Sequence, residues 1–320
     1  MPSSRNAMLD LSIVVPVFGC AECLPMLRQR IAQTLDDNKV DWELILVNDG
    51  SQDGAWDIIL SITGQDNRVR GIDLSRNFGQ HAAITAGLAH VSGHRIVVMD
   101  CDLQDRPEEI PVLLSKSKEG YEVVLARRVA RQDSYLKRLF SRFFYRILNW
   151  LTGQEYDPAV ANFGCYNRKV IEAVLAMGDK ARSFPLFVNW VGFHTVSVDV
   201  THASRELGRS TYTFRKSLAL ALNSMLTFSD RPLRMTVQFG LILSIIAGLV
   251  AIWYLIGAVQ GAFAVQGWAT LVISVWLLGA LNILIIGIIG LYISKIFEQS
   301  KQRPLFIVRE STDIRRDKDT

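Results

Sequence analysis

Up to about residue 130, apolar runs rich in β-branched side chains alternate with stretches whose apolar positions recur at helical spacing. The strand-like runs are Leu11–Val17, Trp42–Asn48, Val69–Leu74, Arg95–Met99 and Glu122–Ala126. The helical patterns cover roughly Ala21–Leu35, Ala55–Thr63, Gln80–Val91 and Pro107–Ser117. This alternation predicts an α/β domain, Rossmann-like, whose mainly parallel sheet is covered on both faces. In such sheets, ligands bind beyond the carboxyl ends of the strands.

The pattern then changes. From Met235 through Ser294 there is no Asp, Glu, Lys, Arg or His. Such a stretch holds two membrane spans of about 20 residues each, predicted at Met235–Val259 and Trp268–Ile293. Gln260-Gly261 and Gln266-Gly267 flank the break between them. A hairpin buried in a soluble core is the competing explanation, but such cores seldom contain two long uncharged runs. Arg231 and Arg234 precede the first span, and Lys295, Lys301 and Arg303 follow the second. With an uncharged turn between them, these basic flanks predict that both ends are cytoplasmic. Tyr135–Leu151 and Phe214–Phe228 carry bulky apolar residues beside basic ones, as a helix lying in the headgroup layer would. The expected organisation is a cytoplasmic catalytic domain over 1–213, an interfacial amphipathic helix over 214–234, a two-helix transmembrane hairpin over 235–293 and a cytoplasmic tail over 294–320. Leu9–Val17 is too short for a signal peptide.

Charge and cysteine content narrow the class. With 35 basic against 31 acidic residues, there is no global field of the kind that gathers nucleic acid. The four cysteines, Cys20, Cys23, Cys101 and Cys165, do not suggest a disulfide scaffold in a cytosolic domain. Cys20-Ala-Glu-Cys23 has redox-motif spacing, but no second pair is available for zinc and other redox signs are lacking.

The strongest chemical signal is Val97-Val-Met-Asp100-Cys-Asp102-Leu-Gln104-Asp105. A hydrophobic strand delivers two carboxylates to its carboxyl end, where both approach one site. Hard oxygen ligands suit Mg2+ or Mn2+ held jointly with a substrate diphosphate. A departing nucleoside diphosphate gains negative charge, which a divalent cation stabilises. Asp-x-Asp alone is weak, because acidic loop pairs are common and usually solvated. Context strengthens it. Val15-Pro16-Val-Phe18 ends the first strand, Val47-Asn-Asp49-Gly-Ser-Gln-Asp53-Gly54 the second, and Leu74-Ser-Arg-Asn-Phe-Gly79 follows the third. Turn chemistry explains each one singly. It does not readily explain four on the rim where a ligand belongs.

With these motifs in this order, the chain resembles the family-2 glycosyltransferases of GT-A fold, and among them the polyprenyl-phosphate glycosyltransferases. The further matches are Pro107-Glu108, Arg127-Arg128, Arg205-Glu-Leu-Gly-Arg-Ser210-Thr-Tyr212, Phe228-Ser-Asp-Arg-Pro-Leu-Arg234, the two spans and Arg303-Pro-Leu-Phe-Ile-Val308. The resemblance runs from about Leu11 to Glu310. It implies transfer of a sugar from a nucleotide-sugar, by default a UDP-sugar, to a polyprenyl phosphate, with inversion and with Mg2+ or Mn2+. By the same resemblance, Pro16 and Asp49 would line the base pocket. Asp100 and Asp102 would serve ribose, diphosphate and metal, with Gln104 close by. Arg127 and Arg128 would face the nucleotide phosphates; Arg131, Arg205, Arg209, Ser210 and Tyr212 would hold the lipid phosphate. Guanidinium suits that task because it binds phosphate oxygens in a bidentate manner.

Two departures matter. Gly19-Cys20-Ala21 stands where the family usually shows Asn and Glu. Asn162, in Ala161-Asn162-Phe163-Gly164, stands where many relatives carry an aspartate proposed as the catalytic base. A carboxamide takes no proton in general-base catalysis. Either the protein is an inactive membrane scaffold, or the reaction needs no base. A phosphate acceptor, with a second pKa of about 6, is already largely ionised at pH 7. The intact Asp100/Asp102 pair favours an active enzyme in which Asn162 orients a reactant. A polysaccharide synthase is the other rival, but its usual Gln-x-x-Arg-Trp motif and additional spans are missing. Neither Gly-x-Gly-x-x-Gly after the first strand nor a Walker A sequence occurs. Asn282, a lone polar residue in the second span, leaves room for a homo-oligomer.

Overall fold

The computed structural model describes residues 9–128, 160–179, 183–201, 231–259 and 267–312. They belong to two compact units. One comprises 1–133, 157–210 and 303–320, the other 134–156 and 211–302.

The first unit is built on one eight-stranded sheet. Its strands are β1 (Leu11–Val17), β2 (Trp42–Asn48), β3 (Val69–Leu74), β4 (Arg95–Val98), β5 (Val123–Arg128), β6 (Val160–Asn167), β7 (Thr195–Val200) and β8 (Val308–Ser311). They are ordered β7-β5-β6-β4-β1-β2-β3-β8. The central strands β4, β1, β2 and β3 run parallel, as does β7 beside β5. β6 is antiparallel to both β4 and β5, and β8 is antiparallel to β3. Every residue of β1 and β2 is buried. Strands covered on both faces read as unbroken apolar runs, which is why the sequence marks them so clearly.

Helices α1 (Leu24–Asp37), α2 (Ala55–Gln65), α3 (Gln80–Leu88) and α4 (Ile110–Lys118) connect the early strands. α1 buries Leu24, Leu27, Ile31 and Leu35, an i, i+3, i+7, i+11 stripe facing the core. α3 is buried from Ala82 to Leu88, and Gly87 lets it come close to the sheet. A Cβ there would stand 2.4 Å from Val14 Cγ1, nearer than real carbon contacts allow. After β6 come α5 (Arg168–Ala176), whose first turn is capped by Asn167, and α6 (Phe184–Trp190).

The second unit contains α7 (Arg231–Val259) and α8 (Trp268–Ser300), both long and apolar enough to cross a membrane. None of either apolar stretch is buried, unlike the core helix of a soluble protein. Both helices exceed the predicted spans. α7 begins at Arg231, inside the segment assigned to the interface, and α8 runs past Ile293 to Ser300. The segment 294–320, expected as a cytoplasmic tail, contains a strand. After α8, the chain returns to the first unit and Val308–Ser311 pairs with β3, Ile72 opposite Ser311 and Asp73 opposite Glu310. The segments Tyr135–Leu151 and Phe214–Phe228 lie outside the described residues.

Candidate active site

Four loops leave the carboxyl ends of β1 to β4 side by side. The β2 loop is fastened to both its neighbours. Asn48 Nδ2 donates to Asp73 Oδ1 at 2.7 Å, and Asn48 Oδ1 accepts from the Ser51 amide. Asp49 accepts from the Phe78 amide at 2.7 Å through one oxygen and from the Gly79 amide at 2.9 Å through the other. Burial pushes the Asp49 carboxyl above its ordinary range, while these two amides and Arg76 oppose the shift. Gly50 completes the junction. Its φ is +66°, and a Cβ would lie 2.6 Å from the backbone of Arg76 and Asn77, so only glycine fits.

Asp53 is likewise occupied. It accepts from the Ala21 amide at 2.9 Å, from Ser51 Oγ at 2.5 Å and from the Ala55 amide at 3.3 Å. Burial raises its pKa, but the hydrogen bonds from Ser51 and from the backbone outweigh that, leaving it lowered. Ser51 Oγ also accepts from the Gly19 amide. The β1 and β2 loops are therefore one hydrogen-bonded piece.

The β4 loop is arranged differently. Asp100 and Asp102 are both partly exposed. Gln80, the first residue of α3, donates Nε2 to Asp100 Oδ1 at 2.7 Å. Asp105, only 3% exposed, accepts from the Asp100 amide, and Asp102 accepts from the Gln104 amide, both at 3.2 Å. Leu103 has φ +61° and is buried, a left-handed turn held by the anchored side chain. The loop thus folds back on itself around its own acids. Among the described residues no cluster of three or more His, Cys, Asp or Glu is poised to hold a metal. Two neighbouring carboxylates are a fitting donor set for Mg2+ or Mn2+ that completes its shell with water and a diphosphate.

A cavity of about 910 Å3 opens on this rim, lined among others by Phe18, Asn48, Gly50, Ser75, Arg76 and Arg309. Phe18 is 59% exposed. Pro16 and Asp49 are themselves buried, Asp49 to 2% exposure; Asn48 and Gly50, which flank Asp49, line the wall, as does Phe18, two residues after Pro16. Arg309 arrives on β8. Its guanidinium lies 3.4 Å from the buried Asp73 carboxylate and donates to the Ser75 carbonyl at 2.8 Å. Sequence reasoning missed Arg309, whose position one residue beyond the Arg303–Val308 match was the available hint. It also missed Gln80, which follows directly on the Leu74–Gly79 match.

Asn162 lies on β6. It precedes by two residues Gly164, which pairs with Val98 at the end of β4. Arg127, on β5, donates Nε to Asp199 of β7 at 2.6 Å, and this hydrogen bond lowers the Asp199 pKa. Arg128 ends β5. Arg131, Arg205, Arg209, Ser210 and Tyr212 lie outside the described residues.

The cysteine expectation is overturned. Cys20, at the end of the β1 loop, is disulfide-bonded to Cys101, between the two carboxylates, with Cα atoms 6.5 Å apart. Cys23 and Cys165 are buried outside any disulfide. β1 and β4 are parallel neighbours, so their carboxyl-end loops meet although 81 residues separate the cysteines.

A sheet with a parallel centre, with a carboxylate pair after β4 and a cavity walled by the loops after β1, β2 and β3, fits a GT-A-like glycosyltransferase fold. The model for "Glycosyl transferase family 2" matches residues 12–175, and the chain belongs to that family of enzymes. It is 36% identical over 307 residues to the "Uncharacterized glycosyltransferase YkcC" of Bacillus subtilis (strain 168), covering 96% of this chain and 95% of that protein. It is 32% identical over 314 residues to "Undecaprenyl-phosphate 4-deoxy-4-formamido-L-arabinose transferase" of Photorhabdus laumondii subsp. laumondii, covering 96% and 95%. Identity is also 32%, over 302 residues, to the "Bactoprenol glucosyl transferase" of Shigella phage SfV, covering 94% and 98%. Among solved structures, glucosyl-3-phosphoglycerate synthase from Mycobacterium tuberculosis, crystallised with Mn2+, UDP-glucose and phosphoglyceric acid, aligns with TM-score 0.50 and 17% identity over 68% of this chain and 78% of that one. That likeness concerns the fold.

Proposed function

We propose that the protein transfers a sugar from a nucleoside-diphosphate sugar, with uridine as the expected base, to a polyprenyl phosphate at the cytoplasmic face of a membrane. The observation that carries this reading is the partly exposed Asp100/Asp102 pair at the carboxyl end of β4, in a chain that also contains two helices able to span a membrane. The names of the Photorhabdus and phage relatives support a polyprenyl phosphate acceptor. They differ in the sugar, so the sugar stays open.

In this mechanism Asp100 and Asp102 would hold the cation, and Gln80 keeps Asp100 in place. When bound, Mg2+ or Mn2+ supplies a positive centre that stabilises the departing diphosphate. Phe18 and Arg76 lie at the cavity where the nucleotide would enter. Arg127 and Arg128 assist with its phosphates. Arg131, Arg205, Arg209, Ser210 and Tyr212 engage the lipid phosphate. The acceptor oxygen is anionic near neutral pH, so displacement with inversion at the anomeric carbon needs no protein base. Asn162 orients a reactant by hydrogen bonding.

The test supplies undecaprenyl phosphate and undecaprenol of equal length with a panel of nucleotide-sugars and Mg2+ or Mn2+, and analyses the lipids by mass spectrometry. A glycosylated lipid phosphate, with the alcohol inert, is the expected result. Comparable transfer to the alcohol would show that a base exists elsewhere. No transfer from any donor would instead favour the inactive scaffold suggested by Asn162. Topology is tested separately: in intact cells, an external thiol reagent should label a cysteine at Ala264 and leave one at Lys301 unlabelled.

A further inference from the structure

We propose that Cys20 and Cys101 form a reversible thiol–disulfide modification site that sets how firmly the enzyme holds its metal–nucleotide ligand. The inference rests on the metal–nucleotide role of Asp100 and Asp102 given above.

Position is the first argument. Cys101 stands between the two carboxylates in the chain, so a bond at its sulfur fixes the backbone that joins them. Its partner lies on the β1 loop, two residues after Phe18 at the cavity wall. The β1–β4 ladder reaches only to the Met99 amide, which donates to the Val14 carbonyl at 3.2 Å. Beyond that point the β4 loop is tied to itself, through Asp105 and Asp102, and to α3 through Gln80. The disulfide extends the connection between the two loops past the end of the ladder. The β1 loop is also joined to the β2 loop through Ser51 and Asp53. One covalent bond therefore links the carboxylate loop to the assembly that walls the cavity.

Accessibility is the second argument. Cys101 is 8% exposed, whereas Cys20 is half-buried, so an incoming thiol meets Cys20 first. A thiolate of a dithiol reductant attacks Cys20 Sγ, the Cys20–Cys101 bond breaks, and Cys101 leaves as a thiolate that takes up a proton. The reductant's second thiol then attacks the mixed disulfide and releases Cys20. Two electrons and two protons enter the protein, and the reductant becomes a disulfide. A peroxide reverses the change, taking two electrons and two protons and leaving as water and an alcohol, or as two waters. Cys23, despite its spacing from Cys20, is packed in the core at the start of α1 and is not the partner.

Reduction leaves the hydrogen bonds of the β4 loop in place, so the fold should persist. What is lost is pre-organisation, which appears as weaker binding. We expect the affinity for UDP in the presence of Mn2+ to fall about tenfold on reduction, a shift of about 1.4 kcal/mol.

The experiment uses the full chain in lipid nanodiscs. Non-reducing digestion and mass spectrometry after mild peroxide treatment should reveal a peptide pair joined through Cys20 and Cys101. Calorimetric titration with UDP, and with GDP as a second probe, each with Mn2+, should show the tenfold loss after dithiothreitol. Cys20→Ser should bind like the reduced wild type and ignore the reductant, and Cys23→Ser should respond as the wild type does. Absence of the joined peptides, equal binding in both redox states, or a response to reductant in Cys20→Ser would each overturn the proposal. Failure to bind either nucleotide in both states would remove the parent reading and this one with it. The wild-type comparison needs no variant, so a folding defect in Cys20→Ser cannot obscure the answer.

Discussion

The loops after β2 and β4 hold the same residue type at the same rim and use it in opposite ways. In the β2 loop, Asp49 is 2% exposed and gives each oxygen to a backbone amide of the loop after β3. Asp53 accepts from two amides and a hydroxyl. These carboxylates are struts: they replace strand ladder where the ladder ends and make three loops into one wall. In the β4 loop, Asp100 and Asp102 stay partly exposed, while the inward-facing role falls to Asp105. An acid at a strand end thus says little by itself. What marks a strut is that backbone amides of another loop claim both its oxygens, as at Asp49.

That contrast can be broken from either side. The largest effect is expected at the β4 loop. Asp102→Ala should lower kcat by about 10³-fold, the equivalent of the several kcal/mol a catalytic cation contributes, with a melting curve close to wild type. Near wild-type turnover at saturating metal would remove Asp102 from the ligand set. At the β2 loop the outcome should be the reverse. Asp49→Ala leaves two amides without their acceptor, which should cost about 2–4 kcal/mol of stability. The drop should appear in thermal unfolding, and activity per folded molecule should fall much less than in Asp102→Ala. If Asp49→Ala kept full stability and lost nucleotide binding instead, the strut assignment would fail.

The smallest expected effect calibrates the structural extreme, away from the rim. Asp66, at the end of α2, is held by Arg68 and Arg28, with Arg28 Nη2 at 2.6 Å. Burial raises its pKa, but the hydrogen bonds from Arg68 and Arg28 prevail and bring it to about 2 from an ordinary 3.8. A depressed carboxylate contributes stability that is present above its unfolded pKa and lost as pH falls through its folded one. The contribution is therefore whole above about pH 4 and disappears toward pH 2. It should amount to about 1–2 kcal/mol, given partners that are partly exposed. Denaturation of wild type and Asp66→Asn should differ at pH 6 and converge near pH 2. A gap that persisted at pH 2 would point to lost packing rather than lost charge.

Much of the first unit could be read from the chain. β1 to β4 are buried on both faces or nearly so, and their apolar runs were visible with close boundaries. β7 was not, because its residues alternate between exposed and half-buried and carry no continuous apolar signal. β6 was recognised only as a motif around Asn162. β8 is four residues long, two of them Arg309 and Glu310. Such a segment becomes a strand only because the edge of β3 accepts it. The Asp100/Asp102 pair was legible because a strand end and a spacing suffice to define it. The strut role of Asp49 depends on amides 29 and 30 residues away. The Cys20–Cys101 bond depends on β1 and β4 being neighbours, which spacing in the chain does not disclose.

β8 also sets an order of events during synthesis. The ribosome makes Val308–Ser311 only after both apolar helices, so the β3 edge must wait for its last strand until the hairpin has been made. During that interval the edge presents unpaired backbone groups, a template for pairing with another chain. Nascent chains stalled within or just after α8 should be correspondingly prone to self-association, and completed translation would itself act as the step that closes the sheet.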